Sequence, residues 1–322
     1  MSSATTDRDE ATHLEQLAID VRAGLTAQHK TLPSKYFYDA VGSDLFDEIT
    51  RLPEYYPTRT ERSILLQHAE EIAALTRAET LNEIGSGTSE KTRLLIEALN
   101  AAGTLQRFVP FDVDPAVLAR ASAALSDEYP QLDVETLVGD FEQHLNLLPR
   151  HPRRLIAFLG STIGNLEPAR RVEFFSSIQS RMGPGDFLLL GTDLVKPIPR
   201  LIAAYSDAAG VTAKFNKNVL TVLNRDLGAD FDLHAFDHVA AWNPVHEWIE
   251  MRLHSARDQR VHVAALDLEV HFERGEQMRT EISAKFRRDR VEDELRRGGL
   301  AVTNWWTDPQ EDFALSLSSP AR

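Results

Sequence analysis

Hydrophobic spacing changes period repeatedly along this chain. Leu14, Leu17, Ala18, Val21 and Leu25 recur at helical intervals, whereas residues 1–12 are polar, carry no pattern and are expected to be disordered. The segment 35–57 then packs many aromatics among turn residues, including Tyr36, Phe37, Tyr38, Phe46, Tyr55 and Tyr56. Pro57 is expected to stop what precedes it, with Thr58 or Thr60 capping a helix through Ala74. Strand-like and helix-like stretches alternate from there. Strands are predicted at 80–84, 107–113, 133–138, 154–159 and 187–190, and helices at 89–100, 115–125 and after Pro168. The run at 154–159 is apolar throughout, as in a strand buried on both faces. Strands separated by helices imply parallel pairing and a doubly wound α/β sheet.

The pattern changes after Lys196-Pro197-Ile198-Pro199. Residues 200–239 read as mainly helical, and 248–254, 261–272 and 278–286 as an antiparallel meander. A helix at 289–299 and strands at 300–306 and 313–318 would return to the edge of the parallel sheet. The expected organisation is therefore discontinuous. Residues 60–195 plus 286–322 form the sheet domain, and 13–59 plus 196–285 form a second, α+β domain threaded from both ends, with the substrate pocket expected between them.

Charge and composition narrow the functional classes. The 322 residues include 49 acidic and 35 basic side chains, a formal charge of −14. That balance disfavours nucleic acid and anionic membrane surfaces as partners. With no cysteine, there is no thiolate nucleophile, disulfide, iron–sulfur cluster or Cys-type zinc site. No stretch approaches a membrane helix or a signal peptide, so a cytoplasmic location is expected.

Chemistry is concentrated at the ends of the predicted strands. Glu83-Ile84-Gly85-Ser86-Gly87-Thr88-Ser89-Glu90-Lys91-Thr92 places a glycine turn between a strand and a helix. A dinucleotide fingerprint needs a third glycine where Glu90 stands, and a P-loop needs glycine at that same place. A carboxylate there would repel phosphates. S-adenosyl-L-methionine has none and carries a cationic sulfonium, so it fits better. Asp112, after the second strand, can accept both ribose hydroxyls of an adenosine, which alone does not separate this donor from a dinucleotide. Asp140 and Phe141, after the third, can read and cover an adenine. Asn165, in Gly160-Ser161-Thr162-Ile163-Gly164-Asn165-Leu166, offers donors and an acceptor to a small substrate, or else caps the following helix. His234 and His238 lie four apart on a predicted helix, but lack a third metal ligand, so no metal is expected.

In these motifs the chain resembles the ergothioneine-pathway histidine Nα-methyltransferases, which trimethylate the α-amine of L-histidine. The likeness also covers 35–57, Gly191-Thr192-Asp193-Leu194, Tyr205, 215–218 and Glu281-Ile282-Ser283. It implies a Rossmann-like class I methyltransferase sheet with a substrate-binding domain, and hercynine as product in the first step of ergothioneine biosynthesis. It further implies that Gly85, Lys91, Asp112, Asp140 and Phe141 hold S-adenosyl-L-methionine. Asn165 and Tyr205 would hold the substrate carboxylate, and Tyr55, Glu281 and Ser283 would read the imidazole. Tyr38 would lie close to the amine and Met251 would line the pocket. Ile282, Ala284 and Arg252 are mild departures from the family pattern. The residues agree with this reading. Glu281 and Ser283 face one side of a predicted strand and can meet two ring nitrogens, whereas the indole of tryptophan, the alternative substrate, has only a donor. A non-enzymatic adenosine-ligand sensor is a further alternative on the same fold. The chain is expected to act as a monomer.

Overall fold

The computed structural model describes the backbone of residues 3–321 and the side chains of residues 14–321. The elements begin with helices α1 (Ser3–Thr26), α2 (Ala40–Thr50) and α3 (Pro57–Thr76). The alternating region comprises β1 (Thr80–Ile84), α4 (Arg93–Ala101), β2 (Arg107–Asp112), α5 (Pro115–Glu128), β3 (Asp133–Val134), β4 (Leu137–Val138), β5 (Arg154–Phe158), α6 (Pro168–Gln179) and β6 (Phe187–Asp193). Then follow α7 (Ile198–Tyr205), α8 (Val211–Leu227), β7 (Phe236–Asn243), β8 (Trp248–Ser255), β9 (Gln259–Val263), β10 (Leu268–Phe272) and β11 (Gln277–Ala284). The chain closes with α9 (Arg288–Arg297), β12 (Leu300–Thr307) and β13 (Phe313–Pro320).

Two compact units result. Unit 1 takes Met1–Glu54, Ile198–Asn243 and Ile249–Ile282; unit 2 takes Tyr55–Pro197, Pro244–Trp248 and Ser283–Arg322.

Unit 2 is built on a mixed sheet of order β12-β13-β6-β5-β1-β2-β3, with β4 also pairing β2. The pairs β1–β2, β1–β5 and β5–β6 are parallel, and β13 joins β6 antiparallel. Every residue of β1 and β5 is buried; β5 is apolar apart from Arg154, whereas β1 buries Thr80, Asn82 and Glu83 beside Leu81 and Ile84. Ile64, Leu65 and Ile72 of α3 and Leu95 and Leu99 of α4 pack with Leu81, Leu155 and Ala157 in one core. The sheet order reverses direction at β1, whose two neighbours are β2 and β5. Open parallel sheets bind ligands beyond the carboxyl ends of the strands at such a reversal. Registers pair Ile84 with both Phe111 and Phe158, so Gly85, Asp112 and Gly160 emerge at the same end.

Unit 1 holds α1, α2, α7 and α8, the hairpin β9–β10 and the three-stranded sheet β11-β8-β7. The Asp39 side chain caps α2 by accepting from Gly42 N–H at 2.9 Å, and Asn218 of α8 donates to the same carboxylate at 2.8 Å.

Several boundaries differ from those the sequence suggests. Residues 3–12 are helical: neither glycine nor proline interrupts them, so α1 extends back through them. Pro57 begins α3 as its first residue, where its missing N–H costs nothing, and Thr60 donates to the Tyr56 carbonyl rather than capping. α4 starts only at Arg93, because the Ser89 and Thr92 hydroxyls bond the Glu83 carboxylate and Ser89 has a left-handed φ of 53°. Residues 133–138 split into two short strands. The helical reading of 200–239 ends at Gly228, whose φ of 60° stops α8, and 236–243 is strand β7. His234 therefore lies in a short turn and His238 in β7, not on one helical face. The stretch 261–272 breaks at a turn over Ala264–Leu266.

Gly298 follows α9 where a Cβ would lie 2.3 Å from the Phe175 Cβ of α6. Gly298→Ala is expected to lower stability by about 1–3 kcal/mol through overpacking, read as a drop in the denaturant midpoint with an unchanged slope.

Candidate active site

The glycine turn requires its glycines for conformation. Gly85 and Gly87 have φ of 66° and 50°, and a Cβ at either would meet nothing within 4 Å. Their backbone thus lines open space. Beneath the turn, Glu83 is buried and accepts hydrogen bonds from Ser89 at 2.8 Å and from Thr92. Burial pushes its carboxyl up to about 7, against the opposing effects of these hydroxyls and Lys91. Asp112 closes β2 and accepts from the N–H of Gly87 at 2.8 Å and of Asp114 at 3.1 Å. Burial raises its pKa, while these donors act the other way. A carboxylate is thereby fixed beside the glycine turn.

Lys91 is engaged by Glu61 of α3, a fully buried carboxylate that also accepts from Gly160 N–H at 2.9 Å. Glu61 ties the β1 turn to the β5 turn. A Cβ on Gly191 would lie 2.1 Å from its Oε1, so the glycine of Gly191-Thr192-Asp193 makes room for this carboxylate. Asp140 is half-buried and turns its own loop, with Oδ1 accepting from Glu142 N–H at 2.8 Å. Phe141 meets Phe158 and Phe174 edge-on, with centroids 5.2 and 6.0 Å away. Asn165 ends the short turn Thr162–Asn165 and is half-buried. It does not cap α6, whose N-cap is Glu167. All of these residues, with buried Tyr55 and Ser283, belong to unit 2.

Unit 1 carries Tyr38, Tyr205, Met251 and Glu281. Tyr38 packs edge-on against Phe46 and Phe215, at 5.7 and 5.4 Å. Tyr205 ends α7, and its carbonyl accepts from His238 Nε2 at 2.7 Å. A carbonyl can only accept, so His238 carries its proton on Nε2 and its Nδ1 accepts from Asn216 at 2.8 Å. Burial lowers the His238 pKa and keeps the ring neutral, outweighing the Tyr205 carbonyl. Asn216 Oδ1 in turn accepts from Thr280 at 2.6 Å, and that hydroxyl lies 3.1 Å from the Met251 carbonyl. The hydrogen bonds thus run from Thr280 through Asn216 and His238 to the Tyr205 carbonyl.

Residues 17–320 match the family described as histidine-specific, SAM-dependent methyltransferases. The chain belongs to that family. It is 61% identical over 304 residues to a histidine N-alpha-methyltransferase of Mycolicibacterium smegmatis, covering 94% of this chain and 95% of that one. It is 55% identical to the Mycobacterium tuberculosis protein of the same name, covering 97% of both. Ergothioneine biosynthesis protein 1 of Schizosaccharomyces pombe is 32% identical over 66% of this chain and 29% of its own length. Among solved structures, the CcbJ methyltransferase of Streptomyces caelestis aligns with a TM-score of 0.50 at 13% identity, covering 88% of this chain and all of that one, and supports the fold alone.

For this family the donor set is chemically apt. The glycine turn has no phosphate-binding lysine–glycine arrangement, and its fixed Asp112 carboxylate suits ribose hydroxyls rather than phosphate. Glu61 and His238 carry structural roles that sequence reading did not assign. Glu61 left one signal: it shares a helical face with Ile64, Leu65 and Ile72. Among the described residues no helix is long and apolar enough to cross a membrane, and no group of three or more His, Asp or Glu could hold a metal.

Glu83 binds a proton more tightly when folded than its ordinary value near 4.5 allows. Its contribution to stability is therefore full below about pH 4.5 and lost as pH rises through about 7. Melting temperatures across pH 5–8 are expected to fall more in the wild type than in Glu83→Gln, which cannot ionise.

Proposed function

We propose that this protein transfers three methyl groups, one per round, from S-adenosyl-L-methionine to the α-amine of L-histidine. The product is Nα,Nα,Nα-trimethylhistidine, hercynine, the first intermediate of ergothioneine biosynthesis. The observation that carries this reading is the identity with the two histidine N-alpha-methyltransferases over almost the whole chain. A glycine turn with a fixed Asp112 carboxylate at the reversal of the sheet supports it.

When bound, S-adenosyl-L-methionine supplies an electrophilic methyl on a sulfonium. Gly85, Lys91, Asp112, Asp140 and Phe141 are the residues assigned to hold it. Asn165 and Tyr205 are assigned to the substrate carboxylate, which would orient the α-amine. Attack needs the neutral amine, so the ammonium must lose a proton, to water in this reading, with Tyr38 orienting the nitrogen. Rate acceleration then rests on proximity and alignment more than on proton transfer. Tyr55, Glu281 and Ser283 are assigned to the ring. Tyrosine faces also favour the fixed cation of the product. The protein is taken to work as a cytoplasmic monomer without nucleic acid, membrane or metal.

Incubation with S-adenosyl-L-methionine and L-histidine is expected to give a product heavier by three methyl groups in mass spectrometry. Absence of any methylated histidine would defeat the reading. Asn165→Ala should lower kcat/KM by about 100-fold through mispositioning. Glu281→Ala should raise KM for histidine by about 10- to 100-fold, the loss of one charge-assisted hydrogen bond. An equal effect on tryptophan turnover would refute the imidazole assignment.

A further inference from the structure

The turn that carries Tyr38 in unit 1 is held together by helix α8. Tyr38 follows the short helical turn Ser34–Phe37 and has φ −90° and ψ 69°. The Asp39 N–H donates across it to the Phe37 carbonyl at 3.2 Å. Those angles and that bond make an inverse γ-turn with Tyr38 as its central residue. Asn218 of α8 is buried, and its Nδ2 donates to the Phe37 carbonyl at 3.0 Å and to Asp39 Oδ1 at 2.8 Å. One amide thus grips the residues on both sides of Tyr38. Its orientation is fixed, because a carbonyl and a carboxylate can only accept. Burial alone would raise the Asp39 carboxyl, but Gly42, Arg225 and Asn218 hold it below the usual range, so it stays ionised. Arg225, two helical turns beyond Asn218 on an exposed part of α8, donates to the other Asp39 oxygen at 2.6 Å.

The same helix holds the ring. Phe215, one helical turn before Asn218, meets Tyr38 edge-on at 5.4 Å and lies 4.7 Å from Phe37. Phe46 of α2 meets the Tyr38 ring at 5.7 Å. Helix α2 leaves the turn no room to shift: a Cβ on Gly42 would lie 1.7 Å from the Phe37 carbonyl oxygen and 3.0 Å from Asn218 Nδ2. The backbone and the ring of Tyr38 are therefore both set by α8. We infer that Asn218 is a positioning residue, backed by Arg225, that fixes the Tyr38 hydroxyl for methyl transfer. This rests on the proposed placing of Tyr38 beside the substrate amine. A displacement of about 1 Å at such a group costs up to about 100-fold in rate. Donor affinity depends on other residues and should not follow.

The test measures the rate constant of the first methyl transfer by the full-length enzyme, in excess over S-adenosyl-L-methionine and with L-histidine saturating. Tyr38→Phe removes the hydroxyl, keeps the ring and should lower that constant about tenfold. Asn218→Ala should lower it about tenfold alone and less than about twofold beside Tyr38→Phe. Affinity for S-adenosylhomocysteine, read by calorimetry, should stay within about twofold in every variant. A loss from Asn218→Ala that is as large beside Tyr38→Phe as without it would overturn the inference, because Asn218 would then act on the fold and not through Tyr38. No loss from Asn218→Ala alone would overturn it as well. A wild-type rate in Tyr38→Phe would instead defeat the placing of Tyr38 beside the amine. Should Asn218→Ala fail to fold, Arg225→Ala takes its place, since this exposed side chain can be removed without opening the core. It should lower the rate constant about threefold alone and less than about twofold beside Tyr38→Phe. No loss in the first background, or an equal loss in both, would overturn the inference.

Discussion

Buried carboxylates at the carboxyl end of a parallel sheet impose the constraint on which the rest of unit 2 depends. A buried carboxylate must find donors, or be neutral. Glu83 takes two hydroxyls, Asp112 two backbone N–H groups, Glu61 a backbone N–H and Lys91, and Asp193 two lysines and a tyrosine. These requirements shape the chain locally. The Ser89 and Thr92 hydroxyls are drawn to Glu83, which delays the start of α4 and holds the glycine turn open. Glu61 demands that residue 191 lack a side chain. The loops that follow these strands are therefore anchored by polar groups as well as by apolar packing.

Unit 1 meets a related problem with neutral groups. The Tyr205 carbonyl of α7 is linked through His238 and Asn216 to the Thr280 hydroxyl of β11. The Tyr205 carbonyl can only accept, and this fixes the direction of donation back along the series. A histidine that spacing marks as a metal candidate is instead a neutral strut. Its role follows from its partners and not from its distance to His234.

Much of the fold was legible in the sequence. The alternation of apolar runs with helical spacing marked β1, β2, β5 and β6 close to their observed bounds, because strands buried on both faces leave no other pattern. The late helix and hairpin were also legible at the sheet edge. Glycines and carboxylates that follow strands were legible as candidates at Gly85, Asp112 and Asp140, and the structure sets Gly85 and Asp112 at one end of the sheet. What failed to show was set by partners distant in sequence. Strand β7 reads as helix until Gly228 is seen to stop α8, and Glu61 reads as a surface charge until Gly160 and Lys91 are seen to meet it.

By itself the sequence determined the doubly wound class, the donor's chemical type through Glu90 in place of a phosphate-loop glycine, and the family. Periodicity and spacing, which are local properties, carry the fold class and the donor, whereas the family rests on the resemblance of the motifs. Only the tertiary structure decided which way hydrogen bonds run. Which nitrogen of His238 carries a proton depends on the Tyr205 carbonyl. Tyr205 lies 33 residues from His238, which it bonds. Hydroxyl and imidazole groups are ambivalent in isolation, and only a neighbour that cannot reverse its own role removes the ambiguity.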